Sequence, residues 1–373
     1  MSTPAHRMPL IDALKGVAAL LVLLNHFSSY GPLAAAARDA FPGLFGWLYE
    51  YARMAVQVFL VTAGFLAARS LSPEGQALAR PPLPLIWKRY LRLVIPYLAA
   101  LGLAIAAAAL ADHWLDDEAI PARATLAQWL AHVFLLQGLL GHEALSAGIW
   151  YIAIDFQLFA LMALLLWGGR RRYVAPALVL AVAGLALFGF NRQPEWNNWA
   201  IYFFGSYGLG AAAWWASDRR QLAAWMGVML TVVVAAMLVD FRLRIVLALG
   251  IALLLAVGRR QGFLGRWPES RGLAFLGGIS YSIFLVHFPV LLLVNAAYAQ
   301  FETASPASVV FGLIFALTAS LGIAALFYRW IESPPASQRI AAACGALAGD
   351  LLAGLRRSLT LAQRLAGAVF RRA

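Results

Sequence analysis

Ten apolar runs, each close to the length that crosses a lipid bilayer, dominate this chain of 373 residues. A transmembrane helix needs about 20 predominantly apolar residues. Only 12% of the residues are charged, whereas a soluble domain carries roughly 25%. Lipid must therefore solvate most of the side chains. The runs cover residues 9–29, 48–69, 90–111, 148–168, 173–190, 197–216, 222–239, 243–258, 273–298 and 306–331.

Basic residues between the runs predict the orientation, because Lys and Arg are enriched in cytoplasmic loops. Such clusters lie within 69–92, 170–172, 219–220 and 258–272. The shorter apolar stretch 125–140 lies between two ends that both face the cytoplasm by this rule, so it cannot add a crossing. We expect it to be an amphipathic or re-entrant segment on the outer side. The predicted fold is all-α, a polytopic bundle of about ten transmembrane helices with both termini cytoplasmic.

The net charge of +12 does not indicate nucleic-acid binding, because the basic residues lie in short clusters between apolar runs. The single cysteine, Cys344, excludes an internal disulfide framework. We find no metal-ligand cluster, glycine-rich phosphate loop or G-x-S-x-G elbow, and we expect no metal cofactor. The location expected for such a chain is a bacterial-type inner membrane.

The chain changes character after Pro334 and Pro335, where alanine and leucine mix with arginine. We expect a transmembrane domain over residues 1–335 and a cytoplasmic tail over 336–373. The tail pattern predicts a basic amphipathic helix on anionic membrane lipids, with a disordered basic tail as the alternative.

Two polar residues in the first apolar run are candidates for function. A charge near the bilayer centre costs at least about 2.5–3.5 kcal/mol, so such residues should face protein or water. Lys15 and His26 are eleven residues apart, which places them on nearly one helix face about 16 Å apart. Lys15 would lie toward the cytoplasm, and His26, a natural general base, toward the outer leaflet. The alternative is that Lys15 snorkels and His26 bonds a neighbour.

Arg89 and Arg92 begin the third run and share a helix face. Their guanidinium groups match phosphate oxygens in two-pronged fashion. Ordinary anchoring at a cytoplasmic helix end is the alternative.

The fourth run opens with Trp150 and carries Asp155 one to two turns further along. This carboxylate could orient or charge-stabilise His26, as carboxylates do for catalytic imidazoles. A salt bridge to Arg53 is the alternative.

The last two runs add further polar residues. The ninth carries Ser280-Tyr281-Ser282 and, beyond its middle, His287-Phe288-Pro289. The tenth closes with Glu332, for which we expect a local pair with Arg329.

Together these segments resemble the acyltransferase family 3 membrane proteins, which O-acylate sugars. The first-helix pattern, a basic residue and then His, is matched by Lys15 and His26. The other matches follow in the family's order: Val58–Leu66 for the second-helix phrase, Arg89, Arg92, Pro96 and Tyr97 for R-x-x-R with Pro and Tyr, Trp150 and Asp155 for Trp with an acidic residue, Ser280–Pro289 for S-Y-S-x-x-L-x-H-x-P, and Tyr328, Ile331, Glu332 and Pro334 for the closing motif.

The resemblance implies that acyl-CoA, most simply acetyl-CoA, is the donor and a sugar or cell-envelope glycan is the acceptor. Arg89 and Arg92 would grip the CoA phosphates, the thioester would thread past Lys15, and His26 would deprotonate a sugar hydroxyl. Attack would be direct or follow an acyl-enzyme step. The remaining assignments are substrate or oxyanion contacts for Trp150, Tyr281, Ser282 and His287.

Three departures from the family pattern stand out. Asp155 replaces the usual Glu, and Gln57 and Ala63 replace the usual acidic residue and Ser of the second-helix phrase. The shorter carboxylate reduces the reach of Asp155 toward His26.

Two other classes of function remain open from the sequence. A secondary transporter or exporter of a lipid-linked sugar would use Lys15, Arg53 and Asp155 as a proton or substrate path, without CoA. A structural or assembly membrane protein is the third class, for which these polar positions would be surplus.

Overall fold

The computed structural model describes residues 8–169, 174–217, 222–301, 305–340 and 342–343. All regular elements in this part of the chain are helices, and it contains no strand. The all-α prediction is therefore confirmed for it. In chain order the α-helices are α1 (Pro9–Ser29), α2 (Gly31–Ala40), α3 (Pro42–Tyr51), α4 (Val56–Leu71), α5 (Leu83–Ala111), α6 (Leu126–Val133), α7 (Trp150–Gly168), α8 (Val174–Phe188), α9 (Ala200–Ala216), α10 (Leu222–Val239), α11 (Leu243–Gln261), α12 (Arg271–Gly278), α13 (Ser280–Tyr298) and α14 (Pro306–Phe327).

Each of the ten predicted spans coincides with one or two of these helices. Within the described residues, seven continuous helical stretches are long and apolar enough to cross a membrane. The helices α9, α10 and α11 coincide with the other three predicted spans and are not among these seven stretches; within α10, Gly227–Val239 is a shorter apolar helix. Ten crossings and the orientation of the termini stay predictions. The seven stretches are Pro9–Ser29, Pro42–Leu71, Leu83–Ala111, Trp150–Gly168, Val174–Arg192, Ser280–Tyr298 and Pro306–Glu332.

The C-terminal tail is described only at its start. A π-helical turn, Tyr328–Glu332, extends α14, and residues 334–340 are helical. The predicted amphipathic helix over the rest of 336–373 falls almost entirely outside the described residues and stays a prediction.

Small residues allow the helices to approach closely, as expected where lipid provides no hydrophobic driving force between helices. A Cβ built on Gly64 of α4 would lie 1.9 Å from the backbone oxygen of Tyr207 in α9. A Cβ on Gly210 of α9 would lie 2.0 Å from the backbone oxygen of Val61. Glycine is therefore required on both sides of the α4–α9 contact.

Helices α5 and α7 are offset along their length. Arg89 of α5 pairs with Asp155 of α7. Arg89 follows the start of α5 by six residues, about 9 Å, and about 33 Å of that helix lies beyond it, whereas only about 8 Å of α7 precedes Asp155. The chain between the end of α5 and the start of α7 must therefore run back toward the first turns of α5, over most of the length of that helix.

The segment that makes this return includes α6. The hydroxyl of Tyr90 on α5 donates to the backbone oxygen of Val133, the last residue of α6, at 2.8 Å. This contact places the end of α6 beside the first turns of α5. The structure thus favours the re-entrant alternative for the stretch 125–140 over an amphipathic helix at the outer surface.

The tight α4–α9 contact gives the first prediction. We expect Gly64→Ala to lower the free energy of unfolding by about 1–3 kcal/mol, because the new methyl group meets backbone and not a flexible side chain. The control is Gly102→Ala, at which a Cβ meets no atom within 4 Å. Thermal unfolding of the purified proteins in detergent measures both. Equal melting temperatures for the two variants would contradict the proposed packing.

Candidate active site

Two histidines from different helices meet in the interior. Nδ1 of His26 in α1 lies 2.5 Å from Nε2 of His287 in α13, and the rings stack with centroids 4.8 Å apart. Nδ1 of His287 lies 2.8 Å from the backbone oxygen of Ile283, one turn earlier in its own helix. The sequence singled out both histidines but did not predict their contact.

These contacts assign the hydrogens of the pair. A carbonyl oxygen only accepts, so Nδ1 of His287 carries the hydrogen that Ile283 receives. Nε2 of neutral His287 is then an acceptor, and His26 donates to it from Nδ1. Nε2 of His26 keeps a free lone pair, which is the form that a general base requires.

The two rings differ in access. His287 is 0% exposed, so it cannot touch a substrate, whereas His26 is half-buried and lines a cavity of about 440 Å³. This geometry does not support the predicted substrate contact for His287. His287 instead lies behind His26. From there it orients the His26 imidazole, which lines the cavity.

We call this cavity the outer cavity, after its place in the predicted orientation. Gly148, just before α7, forms part of its wall with φ of +84°, and a Cβ built there would lie 3.5 Å from Cε1 of His26. A Cβ there would be in ordinary van der Waals contact with His26, and the positive φ favours glycine at this position. The lining residues are Val22, Asn25, His26, Arg53, Met54, Val56, Gln57, Gly148, Trp150, Phe203, Arg242, Leu243, Arg244 and Phe284.

Two of the basic residues in this lining, Arg242 and Arg244, were not among the sequence candidates. Both lie where the chain enters α11. Sequence reasoning had a usable signal here, because arginines at the predicted outer end of a span run against the positive-inside bias.

A second cleft of about 330 Å³ shares one wall with the outer cavity. Trp150, which is 38% exposed, lines both spaces. The second cleft is rich in amides, including Gln157, Asn197 and Asn198. The buried amide of Gln137, another lining residue, has no hydrogen-bond partner for either its oxygen or its nitrogen.

A second group of charges lies at the other end of the predicted path. Lys15 interacts electrostatically with Asp12, one turn earlier in α1, and with Glu332, Arg92 and Arg89. Glu332 accepts a short hydrogen bond from the hydroxyl of Ser282, which differs from the expected local pair with Arg329. We call Lys15, Arg89, Arg92, Asp155 and Glu332 the inner charge cluster.

Asp155 belongs to this inner charge cluster and not to the histidine pair. Its Oδ2 lies 2.5 Å from Nη2 of Arg89, and His287 occupies the position beside His26 that was considered for Asp155. Neither that contact nor the alternative pair with Arg53 is present. The reason is the offset of α5 and α7, which brings Asp155 level with Arg89 about 10 Å beyond Gly148.

Tyr281 and Ser282 also lie with the inner charge cluster. The hydroxyl of Tyr281 donates to the backbone oxygen of Leu93 at 3.0 Å, and that of Ser282 is bound to Glu332. Neither residue lines the outer cavity. Of the predicted site residues, the structure brings His26 and Trp150 to the outer cavity, with His287 behind His26. It brings the others to the inner charge cluster, namely Lys15, Arg89, Arg92, Asp155, Tyr281 and Ser282.

Three aromatic rings pack between the two groups. Ring centroids are 5.5 Å apart for Tyr151 and Phe284, 5.9 Å for Phe59 and Tyr151, and 6.2 Å for Phe59 and Phe284. Phe284 lines the outer cavity, whereas Tyr151 interacts electrostatically with Asp155. One side of this aromatic group thus lines the outer cavity, and another interacts with Asp155 of the inner charge cluster.

Comparison with known proteins adds one match. A family model described as an acyltransferase domain, of acyltransferase family 3, matches residues 9–328. No curated protein and no solved structure matches the chain at a significant level.

The Arg89–Asp155 pair gives the second prediction. We expect Asp155→Asn to lower the free energy of unfolding by about 1–3 kcal/mol, because it leaves a largely buried guanidinium without a counter-charge. Asp155→Glu retains the charge and should cost less. The control is Asp240→Asn, whose carboxylate is 38% exposed and pairs with Arg192 and Arg242 at 3.5 and 3.4 Å. Chemical unfolding in detergent compares the three, and a larger loss for Asp240→Asn would contradict the assignment.

Proposed function

The chain belongs to acyltransferase family 3, and from this we propose that it moves an acyl group, most simply acetyl, from cytoplasmic acyl-CoA to a sugar hydroxyl on the outer side of a bacterial-type inner membrane. The family and the long apolar helices make the chain a multi-pass membrane acyltransferase. The observation that carries the proposal is the free Nε2 of His26 beside a cavity, with the inner charge cluster at the other end of α1.

The donor would bind at the inner charge cluster. Arg92 is exposed, so its guanidinium is accessible to the CoA phosphates. Arg89 is held by Asp155, and its side chain is partly exposed, so it can add to the positive charge that faces the donor. Asp155 thus serves as a positioning residue for Arg89, and Lys15 stands further in, toward His26.

The chemistry follows from the tautomer of the histidine pair. Nε2 of His26 takes the proton of the sugar hydroxyl while the hydroxyl oxygen attacks the carbonyl carbon of the thioester. The C–O bond forms, the C–S bond breaks, and the proton passes from His26 to the departing thiolate. The positive charge on His26 is stabilised by Nε2 of His287, which accepts from Nδ1 of His26. An acyl-enzyme step would use the same base twice.

The second cleft supports a sugar acceptor. An aromatic face and several amides, among them Gln157, Asn197 and Asn198, suit a ring that carries many hydroxyls. Trp150 joins this cleft to the outer cavity, so a glycan could reach from one to the other.

The third prediction tests the base. We expect His26→Ala to reduce acyl transfer by at least about a hundredfold, the usual contribution of general-base catalysis. Affinity for CoA, measured by calorimetry on the detergent-solubilised protein, should stay unchanged because the donor phosphates bind elsewhere. Wild-type transfer by a folded His26→Ala protein would refute the mechanism. Absence of CoA binding to the wild type would refute the donor.

The fourth prediction tests His287 as a positioning residue. We expect His287→Leu, which removes the acceptor for His26, to lower kcat by about tenfold or more with KM unchanged. His287→Gln restores an acceptor and should recover part of kcat. A rise in KM without loss of kcat, or no recovery in the Gln variant, would assign His287 to packing instead.

A further inference from the structure

The outer cavity is strongly basic on one side. Arg53, Arg242 and Arg244 line it together with His26, and its lining contains no carboxylate. The donor role proposed above uses the inner charge cluster, so it leaves these three arginines without a function.

One of the three has a structural role. Arg242 donates to Oδ1 of Asn191 at 2.7 Å and to the backbone oxygen of Leu187 at 2.9 Å, and its Nε lies 3.4 Å from Oδ2 of Asp240. All three of its nitrogens are used. Arg242 therefore fixes the entry to α11 and is not free for a ligand.

Arg244 and Arg53 differ from Arg242. Arg244 donates from Nη2 to the backbone oxygen of Asn191 at 2.8 Å, and its guanidinium stacks 5.0 Å from the ring centre of Tyr202. Its Nε is buried without any partner. Arg53 is exposed, and its hydrogen bond within the described residues runs from Nε to the backbone oxygen of Glu50 at 3.2 Å. In the part of the chain that the structure describes, neither guanidinium has a carboxylate within 4 Å.

The predicted topology makes these charges more informative. Arg53 and Arg244 stand at the predicted outer ends of their spans, where the positive-inside bias disfavours arginine. A buried guanidinium nitrogen without a partner is also unfavourable. Two guanidinium groups that have no carboxylate partner among the described residues and that line one cavity are explained if an anion binds between them.

We propose that the acceptor sugar carries an anionic group, a carboxylate or a phosphate, that Arg53 and Arg244 bind while its hydroxyl lies at Nε2 of His26. This inference rests on the proposed function, since it specifies the class of acceptor for that reaction. The acceptor and not the donor is the occupant, because the arginines share the cavity with the accessible face of His26. A volume of about 440 Å³ lies within the range of small-molecule sites.

The test begins with the product. Cell-envelope glycans are extracted from cells that contain the wild-type protein or His26→Ala and are separated by anion exchange. Mass spectrometry then identifies the acyl groups that depend on His26. We expect them on units that carry, or directly adjoin, a uronate or a phosphate, and the fragment spectra distinguish these two sources.

The second arm uses the acceptor so identified and purified variants. We expect Arg244→Gln and Arg53→Gln each to raise the acceptor KM by about ten- to a hundredfold, the effect of losing one hydrogen bond to a charged group. CoA affinity and kcat should change little. The control is Arg123→Gln, which removes an equal charge from an exposed position outside the cavity. Assays in phosphatidylcholine nanodiscs with and without phosphatidylglycerol separate acceptor binding from lipid binding.

The possible outcomes separate the anionic-acceptor inference from the proposed function. His26-dependent acyl groups on neutral glycans alone would overturn the inference and leave the acyltransferase proposal standing. Weaker CoA binding in Arg244→Gln would assign the arginines to the donor, and a KM effect that vanishes without phosphatidylglycerol would assign them to lipid. No His26-dependent acylation of any glycan would remove the proposed function and this inference with it.

Discussion

The hydrogen bond between His26 and His287 determines what the rest of the site can do. It joins α1 to α13, and the carbonyl of Ile283 fixes its direction. Because each nitrogen of His287 is occupied, the only free nitrogen of the pair is Nε2 of His26. The backbone carbonyl of Ile283 thus sets the tautomer of His287, and His287 in turn sets the tautomer of His26. No carboxylate of the described residues takes part in this chain of hydrogen bonds.

The offset of α5 and α7 places the two ends of the site within reach of one another. Since α7 begins beside the first turns of α5, the short stretch from Gly148, just before α7, to Asp155 within it reaches both His26 and Arg89. The separation along α7 is about 10 Å, less than the thickness of the bilayer core. Phe59, Tyr151 and Phe284 pack against one another, and Phe284 lines the outer cavity.

The sequence predicted the all-α class and the positions of the helices because apolar length is a local property. It brought Lys15 and His26 to one helix because their spacing lies within a single element. It could not assign partners between helices, since these depend on the vertical offset of one helix against another. Asp155 was therefore considered for His26 and lies with Arg89, and Glu332 was expected to pair with Arg329 and binds Ser282. The first difference follows from the return of the chain through α6, whose end contacts Tyr90 near the start of α5, a contact that composition does not reveal.

The outer arginines show where sequence reasoning had a signal and did not use it. The positive-inside rule predicts orientation from the side that carries most of the Lys and Arg residues. The few basic residues predicted on the opposite side do not change that prediction, so they are easily overlooked. Each such residue nevertheless opposes the bias that orients the chain, and must be offset by a local contact or a bound ligand. Arg242 has its contacts in Asn191, Leu187 and Asp240. Arg53 and Arg244 lack a counter-charge within the described residues, and both face the cavity that holds the base. In a membrane enzyme, basic residues that violate the topology rule and converge on one cavity are therefore a sign of an anionic substrate on that side.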